Sequence, residues 1–230
     1  MEFFNTLLRF FQNGGAFMYP IALVLVIGLV LVIERWVFLS RAKLANRRAY
    51  GQILPMMQQR NFAAALKFAQ NEKAPMGQLV AAGIATAQHA RKDENIAMAI
   101  EESILEAVPR LEKRTNYLAT LANISTLLGL LGTIIGLIAA FTAVANAEPS
   151  EKAAMLSSSI SVAMNTTAFG LIAAIPLLLA YSMLQNKTNE IIDSLEMAGV
   201  KFLNLITLTR GQKAEASPAA RPTARAEAIA

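Results

Sequence analysis

The stretch SSSISVAMNTTAFGLIAAIPLLLAYSMLQN, residues 157–186, decides the fold. From Ala153 to Asn186 the chain carries no Asp, Glu, Lys, Arg or His. A helix of about 20 apolar residues crosses the hydrocarbon of a bilayer, so this run predicts a transmembrane helix. Its first half is nevertheless polar, with Ser157, Ser158, Ser159, Ser161, Asn165, Thr166 and Thr167 preceding the aliphatic run. Hydroxyls and an amide are costly in hydrocarbon unless they face protein or water. The polar half therefore marks a pore-lining or helix-packing surface rather than a simple anchor.

Composition agrees with a membrane protein. Hydrophobic residues make up 55% of the 230 and charged residues 16%, with a mean hydropathy of +0.43, too apolar for an ordinary soluble domain. There is no cysteine, which excludes disulfides and cysteine-based zinc sites. The net charge of +5 is read as a report of topology, not as nucleic-acid binding.

Working outward, two more spans appear, and the fold class is an all-α membrane protein with three transmembrane helices and long cytoplasmic helical extensions. The first span covers residues 16–38 and ends in Glu34, Arg35 and Trp36, which suit an interface. The second covers 117–147 with an extension beyond the bilayer, and the third covers 159–184. Residues 39–116 form a cytoplasmic helical region holding twelve Lys/Arg, whereas the 148–158 connection has only Glu148, Glu151 and Lys152 as charges. The positive-inside bias then puts the N-terminal segment, 1–15, in the periplasm and the C-terminus in the cytoplasm.

The run from Asp93 keeps apolar positions at helical steps, with acids early and bases late, and is expected to enter the second span without a break. Pro109 is expected to bend it. Residues 185–210 read as an amphipathic helix with Ile191, Leu195, Ala198, Phe202 and Leu205 on one stripe. The Ala- and Pro-rich segment 211–230 is expected to be disordered.

No catalytic constellation is present, so the chain does not read as an enzyme. His89 is the lone histidine, and GLLGTIIG sits inside an apolar helix, which excludes a nucleotide loop. Gly129, Gly132 and Gly136 instead form small positions along one side of the second span, where they let helix backbones approach closely. Thr126 and Thr133 lie on nearly one face, with Asn123 a turn away. Such hydroxyls either bond to carbonyls one turn back or join a shared polar lining. In the third span, Thr166 and Thr167 occupy adjacent faces, so one can meet an internal neighbour and the other a lumen. Ala163, Thr167 and Ala174 form one small-residue stripe, and Thr166, Gly170 and Ala173 the next. Pro176 removes a backbone donor and is expected to bend the helix. The second and third spans contain no titratable carboxylate, amine or imidazole, so a proton relay needs its carboxylate from a partner.

These motifs resemble the MotA/TolQ/ExbB family of ion-driven stator subunits, most closely its ExbB/TolQ branch. The resemblance rests on Gly14 to Pro20 leading into the first span, ERWVFL at its exit, LLGLLGTIIGLIAAF (Leu127 to Phe141) and TTAFGLIAAIP (Thr166 to Pro176). It implies a homo-pentamer in a bacterial inner membrane, in contact with membrane lipid, whose second and third spans line a pore. An ExbD/TolR-like single-span subunit would supply an aspartate inside it, and a TonB- or TolA-like protein would receive the work. Thr133 and Thr167 match the family's motif threonines. The ion pathway is expected to comprise Thr133, Thr167, Thr166, Asn165 and Thr126, and Gly129, Gly132, Gly136, Gly170 and Pro176 are expected to serve helix packing. No cofactor is implied; the transported ion is H+, with Na+ as the alternative because hard cations favour oxygen ligands. Two positions depart from the family pattern: Thr126 stands where a proline is common, and Val162 where a glutamate is common. An ExbB-like role energising outer-membrane transport leads; a TolQ-like role in envelope maintenance, a sodium-driven homologue and a non-conducting scaffold are the alternatives.

Overall fold

A computed structural model describes residues 14–215 except 90, 91 and 146, with side chains through 209. The described residues form six α-helices and no strand: α1 Met18–Gln58, α2 Phe62–Asn71, α3 Pro75–His89, α4 Asp93–Glu112, α5 Asn116–Ala145 and α6 Lys152–Glu215. Three apolar stretches, in α1, α5 and α6, are long enough to cross a membrane. Only 17%, 17% and 28% of their most apolar windows are buried within the protomer. So much exposed aliphatic surface needs lipid or further subunits as its solvent. The molecule is a multi-pass, all-helical membrane protein.

The chain divides into two compact units. The first comprises residues up to Ser40 together with Glu112–Thr188. Its helices meet along narrow seams. On α5 the buried positions are Leu118, Ala122, Ser125, Gly129, Gly132 and Ala140. On α6 they include Ala163, Thr166, Gly170, Ala173 and Leu177, and on α1 Met18, Ile21, Gly28 and Leu39. Most of these spacings are three, four or seven residues, as in a coiled-coil-like seam. Small side chains fill it because lipid supplies no hydrophobic drive, and dispersion between closely approaching backbones must replace it.

One end of this unit is polar and basic. The Arg114 guanidinium pairs with Glu34 at 2.6 Å, Lys187 Nζ donates to Ser40 Oγ at 2.7 Å, and the same ammonium lies 4.2 Å from the Trp36 ring centroid. Arg35 is 3% exposed and stacks over Phe38. At the opposite end, Gly14, Gly15 and Phe17 meet α5 and α6. The positive φ of Gly15, +74°, needs glycine where the chain turns into α1.

The second unit comprises Arg41–Leu111 and the chain from Asn189 onward. Its core is built from Ile53 and Met57 of α1, Leu79, Val80 and Ile84 of α3, Ile96, Ile100 and Ile104 of α4, and Phe202 of α6. A helix-ending turn connects α1 to α2. Arg60 takes a left-handed φ of 59°, its N–H and that of Asn61 bond to the carbonyls of Met57 and Met56, and Asn61 Oδ1 then caps α2 by accepting from Ala64 N. The amphipathic stripe of α6 buries Ile191, Leu195, Ala198, Phe202 and Ile206; Leu205, the expected fifth member, is half-buried.

One expectation is corrected. The helix from Asp93 does not enter the second span unbroken: α4 ends at Glu112 and a turn occupies 113–115. Arg114 has a φ of 65°, a left-handed residue through which a right-handed helix cannot propagate. Pro109 is accommodated inside α4, three residues before its end. The segment 211–230 is helical as far as Glu215, and the remainder lies outside the described residues, as does nearly all of 1–15.

Candidate functional site at the crossing of α5 and α6

The closest approach in the first unit is made by glycine. A Cβ on Gly170 would lie 2.7 Å from the Ser125 carbonyl oxygen and 3.0 Å from Gly129 Cα. One on Gly129 would lie 3.2 Å from Thr167 Cα. A Cβ on Gly132 would collide with the Thr166 side chain, and one on Gly136 would sit 3.1 Å from Ala163 Cβ. These pairs run in opposite order along the two helices, so α5 and α6 are antiparallel. Gly129, Gly132, Gly136 and Gly170 therefore stand at helix contacts, whereas Pro176 is exposed.

This approach brings two hydroxyls together. Thr167 Oγ1 lies 2.8 Å from the Gly129 carbonyl oxygen, to which it donates, and 3.4 Å from Thr133 Oγ1. Thr133 donates its own proton to the Leu130 carbonyl at 2.6 Å, leaving its lone pairs available. Both threonines are half-buried. Thr126, two turns back on the same flank of α5, is exposed and donates to the Ala122 carbonyl at 3.2 Å.

Thr166 and Asn165 lie elsewhere. Thr166 is 2% exposed, and its Oγ1 lies 2.6 Å from the Gly14 carbonyl and 3.0 Å from that of Val162. Its hydroxyl ties the lead-in of α1 to α6, away from the Thr133–Thr167 pair. Asn165 precedes Thr167 by two residues, which on an α-helix sets them about 160° apart. The five expected pathway residues thus divide: Thr133, Thr167 and Thr126 on one side, Thr166 in the protein interior, Asn165 on another side of α6.

The surroundings of the pair carry no charge. Along α6, the nearest side chains charged at neutral pH on either side of Thr167 are Lys152 and Lys187, roughly 22 and 30 Å away at 1.5 Å per residue. Threonine hydroxyls orient water or complete a cation's shell, but they do not titrate near neutral pH. The pair can thus guide an ion or a water chain and cannot itself relay a proton by ionising. Ser125 went unremarked in the sequence, and the Gly14 lead-in entered only as a family motif, without its tie to Thr166. Ser125 is fully buried at the crossing and its Oγ has no partner among the described residues; the four-residue spacing to Gly129 was the available signal. For Gly14 the signal was the glycine pair just before the first span.

Residues 71–197 match the MotA/TolQ/ExbB proton channel family. The matched range holds Thr133, Thr167 and all four glycines of the crossing. Over 199 residues the chain is 26% identical to a protein of Methanothermobacter thermautotrophicus named by homology as a biopolymer transport protein ExbB homolog, covering 86% of this chain and 69% of that protein. A biopolymer transport protein ExbB-like 3 of Synechocystis is 26% identical over 190 residues, covering 77% of this chain and 90% of that protein. The Tol-Pal system protein TolQ of Haemophilus influenzae is 39% identical over 84 residues, 36% of each chain.

Proposed function

This chain belongs to the MotA/TolQ/ExbB proton channel family, and from that premise we propose that it is an ExbB-like subunit of an ion-driven motor in a bacterial inner membrane. The observation that carries the reading is the hydroxyl pair Thr133–Thr167, set at a glycine crossing of two helices free of charge. Copies of the chain assemble as a ring, a pentamer by family resemblance, with α5 and α6 around a central route. The exposed aliphatic surface of all three spans is consistent with partners and lipid covering it. A single-span ExbD/TolR-like partner supplies the aspartate that takes and gives up the proton, since the second and third spans hold no carboxylate, amine, guanidinium or imidazole. Thr133 and Thr167 orient water, or coordinate the ion, beside that carboxylate. The basic loop 39–116 stays in the cytoplasm, and the work passes to a TonB-like protein.

The experiment is ion flux in proteoliposomes holding the full chain and its single-span partner. A dye-reported pH gradient should dissipate in the presence of both proteins and not with either alone. Exchange of sodium for potassium leaves the rate unchanged if the ion is H+; if Na+ is carried, a sodium-sensitive dye reports flux while the pH gradient persists. No flux under any of these conditions would overturn the reading. The stretch similar to a TolQ protein supports a second role, envelope maintenance. Co-purification of a TolA-like instead of a TonB-like protein would assign that role.

A further inference from the structure

The second unit contains a groove of about 380 Å³ between α1 and α6 with mixed walls. Met76, Met197 and Ala198 give it an apolar lining, and Lys43, Arg47 and Lys201 a basic one. One acid, Glu190, also lines it, but its carboxylate is paired with Lys43 at 2.7 Å. That leaves two cations facing the space. Lys201 Nζ lies 3.4 Å from the Tyr50 hydroxyl, and Arg47 has neither an ion pair nor a hydrogen bond among the described residues.

A second, independent observation points to a ligand. Asn46, which also lines the groove, is 2% exposed. Its Oδ1 accepts from Met76 N at 3.2 Å, which fixes the orientation of the amide, and the buried Nδ2 has no partner. A buried donor without an acceptor is unfavourable, and native proteins seldom leave one so. A guanidinium fork, an ammonium and an amide N–H are all donors, and together they match an oxyanion with several oxygens. Carboxylates present two oxygens; phosphate esters present more and keep their charge. The methionines beside them accept irregular apolar groups.

We propose that this groove binds a net-anionic phosphate ester carrying an apolar group. Arg47 and Lys201 hold the phosphate oxygens, Asn46 Nδ2 donates to one of them, and Met76 and Met197 take the apolar part. The chemistry fits an anionic lipid headgroup with its acyl chain and equally a soluble organic phosphate. This inference is independent of the ion-channel reading.

The test is calorimetric titration of the purified full chain in a neutral detergent. The probes are dihexanoyl phosphatidylglycerol, the zwitterionic dihexanoyl phosphatidylcholine, and adenosine monophosphate. Saturable binding of the glycerol lipid is expected, weakened at least tenfold in Arg47→Gln/Lys201→Gln and unchanged in Lys67→Gln, which lies outside the groove. Binding of adenosine monophosphate with the same sensitivity to the variant, and not of the lipid, assigns a soluble phosphate as the occupant of the same site. Equal affinity for the choline lipid, equal affinity in the double variant, or no saturable binding of any probe would overturn the proposal.

Discussion

Thr166 and Thr167 are neighbours in sequence with opposite assignments. Thr166 spends its hydroxyl on the carbonyl of Gly14, 152 positions away, and Thr167 reaches Gly129 and Thr133. Thr166→Val keeps the shape but leaves a buried carbonyl short of its donor, a loss of about 1–3 kcal/mol. Thr166→Ser should retain most of the stability. Thermal unfolding of the detergent-purified variants checks this: valine and serine variants that melt together with the wild type would remove the tie. The sequence alone placed these two threonines on adjacent faces, as the structure does. It did not place the partner of Thr166, because a lead-in so distant leaves no trace in local periodicity. Grouping Asn165 with Thr167 was avoidable, since a two-residue step crosses a helix to its far side.

At the scale of the element, glycines in helices have separate meanings that only the neighbours decide. Gly51 lies in α1 with nothing within 4 Å of an added Cβ, whereas Gly170 faces the backbone of α5. Gly51→Ala should stabilise the protein by about 0.5–1 kcal/mol, by restricting the unfolded chain. Gly170→Ala must push two backbones apart and should cost about 1–3 kcal/mol. Chemical denaturation of both variants tests the pair, and a stabilising Gly170→Ala would contradict the crossing. The glycine spacing along α5 made the packing side legible beforehand, because small residues at three- and four-residue steps have few other uses in a span. The turn at 113–115 was not legible: the sequence there has neither Gly nor Pro, and the left-handed Arg114 coincides with its guanidinium pairing to Glu34 from another helix. Likewise Ile206 replaces Leu205 on the α6 stripe because packing against several helices widens the buried face beyond one strict repeat.

The whole molecule must be turned the right way and assembled before any ion moves. The twelve basic residues of 39–116 against a single lysine in the 148–158 connection argue for one orientation. With Ser150→Cys and Gln70→Cys introduced singly, an impermeant maleimide should label the first in intact cells and the second only after permeabilisation. The reverse pattern would invert the topology. The exposed aliphatic faces of α1, α5 and α6 need lipid or further subunits to cover them, and the proposed ring would supply the latter. Native mass spectrometry in mild detergent should give a ring of five, and monomers alone would exclude the ring. The central claim is that ions pass the Thr133–Thr167 hydroxyl pair. It is tested most directly by the proteoliposome flux of Thr133→Val/Thr167→Val, reconstituted with the partner at wild-type stoichiometry. The account predicts that flux falls to the level of protein-free liposomes while the oligomer stays intact. Wild-type flux from an intact double-valine assembly would contradict it and leave the pair as a packing feature.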